Sequence, residues 1–150
     1  MVDDVTAERI ASQIEDSHLH GAPLRREAMI LLSALDDYDW SGIYRLEGGE
    51  LRLDEYVGAP TDHDRIPIGR GVCGTAVASN SNQIVADVST LENYLACSTK
   101  TKSEIVVLVR DPLGGILGQI DIDGHRAGAF DHTDEHMLER IGAALSRRWE

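Results

Sequence analysis

Residues 40–57 of the chain read WSGIYRLEGGELRLDEYV, and this stretch decides the fold class. Its first half is rich in aromatic and β-branched residues, and its second half alternates strongly between apolar and polar side chains. Gly48 and Gly49 separate the two halves, which is the pattern of a β-hairpin. Because the strands of a hairpin are antiparallel neighbours, the stretch favours an antiparallel sheet.

A second hairpin is predicted later in the chain. Runs rich in branched residues at 104–109 and 116–123 flank a turn sequence with proline and two glycines. Between the hairpins we expect a loop at 67–71, a short helix of small side chains at 72–78 and a further strand at 84–88.

Amphipathic helices are predicted at both ends of the chain. Two of them occupy residues 1–37, and Pro23 suits the first turn of the second. The last helix spans 133–149 and has Asp131 or Thr133 as its cap.

Length and element order together predict the architecture. With 150 residues the chain has the length of one domain. We predict a single α+β domain over 1–150, with its N-terminal helices at 1–37 and a core at 40–150. The mostly antiparallel β-sheet of this core is covered by the N- and C-terminal helices.

Composition excludes several classes of function. The chain has 26 acidic and 14 basic residues and a formal net charge of −12, which argues against binding to nucleic acid or to anionic lipid. No apolar run reaches the roughly 18 residues of a membrane span, and the N-terminus lacks the features of an export signal. We therefore expect a cytoplasmic protein. The acidic surface fits a salt-rich cytoplasm, and it fits compositional drift equally well.

Two cysteines are the first candidates for chemistry. Cys73 stands where a turn enters the predicted short helix, and a helix N-terminus lowers the pKa of a thiol. Cys97 lies in an irregular loop shortly before Lys100 and Lys102, the two lysines of the chain, whose charge favours a thiolate. The alternative is that both cysteines are small buried hydrophobic residues.

Acidic residues form the second candidate group. Glu104 opens one strand of the second hairpin, and Asp121 and Asp123 close the other. The period of two in a strand puts both aspartates on one face of the sheet. They form either a solvated strand edge or a pocket of negative charge, suited to binding an amine or to proton donation by a carboxyl group of raised pKa.

No metal site and no bound cofactor are predicted. His132 and His136 have a spacing that suits a metal ion, but no third ligand at sensible spacing accompanies them. The two cysteines belong to no CxxC motif and to no paired Cys/His motif.

Several motifs in the chain resemble a GAF domain of the free methionine-R-sulfoxide reductase type. They are WSGIY at 40–44, IPIGRGVCGTA at 66–76, a cysteine seven residues before Glu104 in SEIV at 103–106, and GQIDID at 118–123. The resemblance covers residues 40–147. It implies a GAF fold and the reduction of free L-methionine-(R)-sulfoxide to methionine.

The resemblance also implies a role for each matching residue. Cys97 attacks the sulfoxide sulfur, and Cys73 resolves the sulfenic acid that results. The acidic residues bind the substrate and assist protonation of its oxygen, and two aromatic residues pack around its methyl end. These are Glu104, Asp121 and Asp123, and Trp40 and Tyr44. We place Asp87 among the substrate-binding residues as well.

The chemistry of these residue types agrees with the implied roles. A thiolate attacks sulfur while a neutral carboxylic acid supplies a proton to the leaving oxygen. A second thiol condenses with the sulfenic acid, and a thioredoxin-like donor reduces the disulfide. Many family members carry a third cysteine where this chain has His63, which leaves Cys73–Cys97 as the intramolecular disulfide.

Two further expectations complete the sequence analysis. The alternative to an enzyme is a GAF signalling module that binds a small molecule or senses redox state through the same cysteines. We also predict a homodimer, because three amphipathic helices compete for one face of the sheet. In that dimer Ile10, Ile14 and Leu145 are buried between subunits.

Overall fold

The computed structural model describes residues 1–95 and 99–150. Within these ranges the helices are α1 (Asp4–Glu15), α2 (Gly21–Ser33), α3 (Gly71–Ser79) and α4 (His132–Arg147). The strands are β1 (Trp40–Glu47), β2 (Glu50–Val57), β3 (Arg65–Pro67), β4 (Gln83–Val85), β5 (Ser103–Arg110) and β6 (Ile116–Gly124), and a 3-10 turn lies at Val88–Thr90. None of the helices in the described ranges is long and apolar enough to cross a bilayer.

The six strands form one sheet in the order β3-β2-β1-β6-β5-β4, and its pairings are antiparallel. Both predicted hairpins are confirmed as β1–β2 and β5–β6. The centre of the sheet pairs β6 with β1 and β5, so Asp123 lies between Trp40 on one side and Glu104 on the other. The predicted α+β architecture is therefore confirmed.

Three element boundaries differ from the sequence prediction. Strand β3 pairs with the edge of β2 at 65–67, where we expected no strand, because three residues are too few to show a period of two. Strand β4 ends at Val85 rather than at residue 88, since the chain turns into the 3-10 turn there. Helix α4 begins at His132, and Asp131 caps it by accepting from the N–H groups of its first turn.

The two faces of the sheet are covered by different helices. Helices α1, α2 and α4 contribute to one apolar core with alternate residues of the central strands. The opposite face lies under α3, and Gly74 of this helix lets the segment that precedes the helix pack closely against it. A Cβ atom at Gly74 would lie 2.5 Å from the carbonyl oxygen of Pro67.

The predicted composition of the subunit interface is wrong. Ile10, Ile14 and Leu145 are at most 2% exposed within a single chain, so they are not available to a second subunit. The reason is that the three helices share one face instead of competing for it. Helices α1 and α4 are also joined by ion pairs from Arg140 to two glutamates of α1.

Candidate active site

The start of α3 is built by glycines and places Cys73 in the first turn of the helix. Gly69 and Gly71 have φ values of +92° and +64°, which side chains other than glycine rarely adopt. Arg70 between them is the extended N-cap, and its side chain makes no capping hydrogen bond. Cys73 is 5% exposed, and its thiol is hydrogen-bonded to the carboxyl group of Asp121.

Three carboxyl groups are buried together on the face of the sheet under α3. Glu104, Asp121 and Asp123 are 2%, 1% and 0% exposed, so they do not form a solvated strand edge. Glu104 and Asp123 are directly opposite each other across the β5–β6 pair and are hydrogen-bonded. Asp121 lies two residues before Asp123 and is on the same face of β6.

Burial and mutual repulsion favour the protonated form of two of these groups. Burial raises the pKa of Glu104 well above its ordinary value, and the charges of Asp121 and Asp123 raise it further. Burial also raises the pKa of Asp121, as does the charge of Asp123, whereas the hydrogen bond from Cys73 acts in the opposite direction. Carboxylic acids that hold a proton at neutral pH can act as general acids.

A small cavity opens between α3 and this acidic group. Its volume is about 10 Å³, which is room for roughly one water molecule. The polar side chains that line it are His63, Arg70, Cys73, Glu104 and Asp121. The sulfur of Cys73 and carboxylate oxygens of Glu104 and Asp121 all lie within 4.8 Å of one another. The structure thus brings one thiol and two carboxyl groups together at this cavity.

Two aromatic residues stand behind the cavity in the same buried cluster as Cys73. Trp40 donates its indole N–H to the carbonyl oxygen of Ala59 at 3.0 Å, and its ring covers Gly42, where a Cβ atom would lie 2.2 Å from the ring. Tyr44 donates its hydroxyl to the carbonyl oxygen of His63 at 2.9 Å. Both rings are therefore fixed in place beside the acidic group, although neither lines the small cavity.

Comparisons with known proteins add to this geometry. No family model matches the chain. The free methionine-R-sulfoxide reductase of Escherichia coli K12 is 38% identical over 128 residues, which are 84% of this chain and 75% of the relative. The chain belongs to the free methionine-R-sulfoxide reductase family.

Solved structures of free methionine-R-sulfoxide reductases agree with this assignment. The reduced Staphylococcus aureus reductase superposes with a TM-score of 0.85 at 38% identity, covering 97% of this chain and 94% of that one. The Neisseria meningitidis reductase in complex with its substrate gives 0.85 at 30% identity, covering 96% and 86%. The resemblance drawn from the sequence is therefore confirmed for the family and for the GAF fold.

Asp87, which the sequence analysis assigned to the reductase site, is not brought to the acidic group. Asp87 is exposed, and its carboxylate accepts from the N–H and the hydroxyl of Ser89 at 3.0 and 2.7 Å. These hydrogen bonds lower the pKa of Asp87 and cap the 3-10 turn. Cys97 lies outside the described residues, and so does the predicted Cys73–Cys97 disulfide.

Two side chains close to the acidic group were missed by the sequence analysis. Arg70 lines the mouth of the cavity from the N-cap of α3. Gln119 is fully buried on the same face of β6 as Asp121, between Tyr44 and Leu108 of the neighbouring strands. Neither its amide nitrogen nor its amide oxygen has a hydrogen-bond partner in the described part of the chain. The alternation in 118–123 carries the signal for Gln119, since it puts the amide on the acidic face.

Proposed function

We propose that this protein reduces free L-methionine-(R)-sulfoxide to methionine with electrons from thiols. The observation that carries the proposal is the convergence of Cys73, Glu104 and Asp121, which are buried and lie within 4.8 Å of one another. Further support comes from the E. coli relative, which is named a free methionine-R-sulfoxide reductase, and from the Neisseria reductase solved with its substrate.

The reaction consumes two thiols and releases one water molecule. The thiolate of Cys97 attacks the sulfoxide sulfur, the sulfur–oxygen bond breaks, and the oxygen ends on the Cys97 sulfur as a sulfenic acid. The Cys73 thiol then attacks that sulfur, which forms the Cys73–Cys97 disulfide and expels water. Methionine is the reduced product, and the two cysteines together supply two electrons.

The acidic group provides the proton that the departing oxygen needs. Glu104 holds its proton because of burial and the neighbouring aspartates, and Asp123 is its hydrogen-bonded partner. Asp121 is hydrogen-bonded to Cys73 and so orients the resolving thiol. Trp40 and Tyr44, both fixed by hydrogen bonds, form the aromatic wall at the methyl end of the substrate. Asp87 is left out of this scheme because its carboxylate serves the 3-10 turn.

A thioredoxin-like donor, a cytoplasmic location and a homodimer are part of the proposal. The dimer is supported by apolar side chains that point outward from the N-terminal helices, with Val5 82% and Ile30 48% exposed. We expect light scattering at micromolar concentration, in adequate salt, to give twice the mass of one chain. A monomer under those conditions contradicts the dimer and leaves the reductase proposal intact.

The test of the function is an assay of purified, reduced protein with free methionine sulfoxide and either thioredoxin or dithiothreitol. Only the R-epimer is expected to be consumed. The absence of consumption at every pH tested contradicts the proposal and favours a GAF module that senses redox state without turnover.

Cysteine variants assign the two thiols. Cys97→Ser abolishes reduction, because a hydroxyl group without an activating base is too weak a nucleophile. Cys73→Ser forms about one methionine per subunit in a single turnover and then stalls with thioredoxin. After one equivalent of substrate, mass spectrometry should find a loss of two hydrogens in the wild type. In the Cys73 variant it should find a gain of one oxygen at Cys97. Normal cycling of Cys73→Ser with thioredoxin contradicts the resolving role.

A further inference from the structure

The thiol and acids of the cavity are also the donor set of a metal ion. Cys73, Glu104 and Asp121 offer one sulfur and two carboxylate oxygens within 4.8 Å of one another, and all three residues are buried. Zinc binds sulfur at about 2.3 Å and oxygen at about 2.0–2.2 Å, so donors around it are roughly 3.5 Å apart. Zinc binding therefore requires the three donors, now within 4.8 Å, to close to about that spacing.

One atom of the group lacks the partner that a buried oxygen needs. Oδ1 of Asp121 has no hydrogen-bond partner in the described part of the chain, although Asp121 is 1% exposed and lines the cavity. Burying such an oxygen without a partner is costly. A cation in the cavity would supply that partner and would reduce the repulsion among the three carboxyl groups.

The cavity has the size and the polarity for a single ion. Its volume of about 10 Å³ admits roughly one water-sized sphere. His63 also lines it, which makes its imidazole a candidate for a further ligand beside the sulfur and the carboxylates. Hard cations such as Mg²⁺ and Ca²⁺ prefer all-oxygen sites, whereas a thiolate with carboxylate and imidazole suits zinc.

We propose that the reduced protein binds one Zn²⁺ ion in this cavity through Cys73, Glu104 and Asp121, with His63 or water as the fourth ligand, and that bound zinc inhibits the enzyme. Binding displaces the thiol proton of Cys73 and the protons of the protonated carboxyl groups, and these protons are released to solvent. Inhibition rests on the proposed function, because zinc occupies the resolving thiol and removes the proton donors. Metal binding itself does not rest on it.

Cobalt titration tests the site without any activity measurement. Chelator-treated, reduced protein receives Co²⁺, and we expect one equivalent to produce a sulfur-to-cobalt charge-transfer band that Zn²⁺ then abolishes. Cys73→Ser should lose the band, and Asp121→Asn should weaken binding at least tenfold. His132→Gln is the control that keeps both band and affinity, because the exposed His132 does not line the cavity.

The outcomes separate the metal site from the function. The absence of a charge-transfer band, or a band and affinity unchanged in both Cys73→Ser and Asp121→Asn, overturns the site. The inhibition arm uses thioredoxin rather than a chelating thiol. Its midpoint should approach the zinc dissociation constant at low methionine sulfoxide concentration and rise as that concentration increases. A protein that binds Co²⁺ but reduces no sulfoxide retains the metal site and loses the proposed function. An active protein that zinc leaves unaffected overturns the inhibition.

Discussion

The two faces of the central sheet are both buried, and they differ in the polar groups that they hold. On the face under α1, α2 and α4 most of the buried strand residues are aliphatic, and these are Ile43, Ile105, Val107, Val109, Ile120 and Ile122. On the face under α3 the same strands bury Glu104, Gln119, Asp121 and Asp123 at 2% exposure or less. The two sets alternate along the strands, so neighbouring residues belong to opposite environments.

The difference between the faces separates stability from chemistry. Burial of apolar surface stabilises the fold by about 25 cal/mol per Å². Burial of carboxyl and amide groups opposes folding unless they are paired. Apolar burial under α1, α2 and α4 therefore stabilises the domain. The polar groups buried under α3 lower its free energy of unfolding. Mutations of apolar residues on the first face should lower the free energy of unfolding, and mutations of the carboxyl groups on the second face should lower turnover.

The largest expected effect is a loss of protein stability caused by a mutation in the core under α1, α2 and α4. Leu138 of α4 is fully buried in that core, and Leu138→Ala should lower the free energy of unfolding by about 2–5 kcal/mol through lost burial and a residual cavity. Urea unfolding gives the change, and turnover per folded molecule should stay at the wild-type value. A fall in turnover without a loss of stability would show that the two faces are not separate in this sense.

Removing one carboxyl group should have the converse effect. Glu104→Gln and Asp123→Asn should each reduce turnover by roughly 10²-fold or more, because proton donation or substrate orientation is lost. Folding should change little, since Glu104→Gln replaces a protonated carboxyl group with a neutral amide and Asp123→Asn removes a charge that opposes those of its neighbours. Steady-state kinetics with the R-epimer measures the effect, and Asp87→Asn is the matched control outside the cluster. Wild-type activity in both cluster variants would leave the acids without a role in the reaction.

The face that each strand residue occupies could be predicted from the sequence, but the depth of burial could not. Alternation in 118–123 puts Asp121 and Asp123 together, as the structure has them. The alternation does not show whether that face is exposed to solvent, because the exposure depends on α3 and on the loop before it. Gly74 lets this loop pack closely against α3. The hydrogen bond between Cys73 and Asp121 joins positions far apart in the chain, so no local pattern indicates it.

At Asp87 the secondary structure itself was wrongly predicted. The branched run at 84–88 predicted a strand that includes Asp87, which we also placed among the substrate-binding residues. Strand β4 instead ends at Val85, and the side chain of Asp87 bonds Ser89 in the next turn. Short polar side chains compete with the sheet for backbone groups in this way, and the outcome depends on tertiary contacts that the local sequence does not record.

The buried carboxyl groups should also give stability a pH dependence. The pKa values of Glu104 and Asp121 are raised in the folded protein above their ordinary values of 4.5 and 3.8. The folded state then keeps protons that the unfolded state releases, so the free energy of unfolding falls as pH rises from those values toward the folded-state pKa values. Glu104→Gln and Asp121→Asn should each flatten this decline.

Urea unfolding at a series of pH values, from about 4 to 8, measures the decline. Exposed carboxylates such as Asp3 and Glu8 have lowered pKa values and act in the opposite direction, but solvent screens them. Glu8→Gln is therefore the matched control, and it should leave the slope close to the wild type. A slope that neither buried-site variant changes would mean that the acids are ionised in the folded state.

The smallest expected effect comes from the amide on the acidic face. Gln119 buries both polar atoms of its amide without a partner in the described ranges, so Gln119→Leu should raise the free energy of unfolding by about 1–3 kcal/mol, or the melting temperature by about 2–4 °C for each kcal/mol. Gln83→Leu is the control, because that half-buried amide donates to Ser79 and Ser81 and its loss brings no such gain. Differential scanning calorimetry measures both. Turnover of Gln119→Leu should stay at the wild-type value, since Gln119 does not line the cavity. A Gln119→Leu variant that is less stable than the wild type would mean that an internal water molecule satisfies the amide. The burial of polar groups on this face would then lower the free energy of unfolding by less than their missing protein partners suggest.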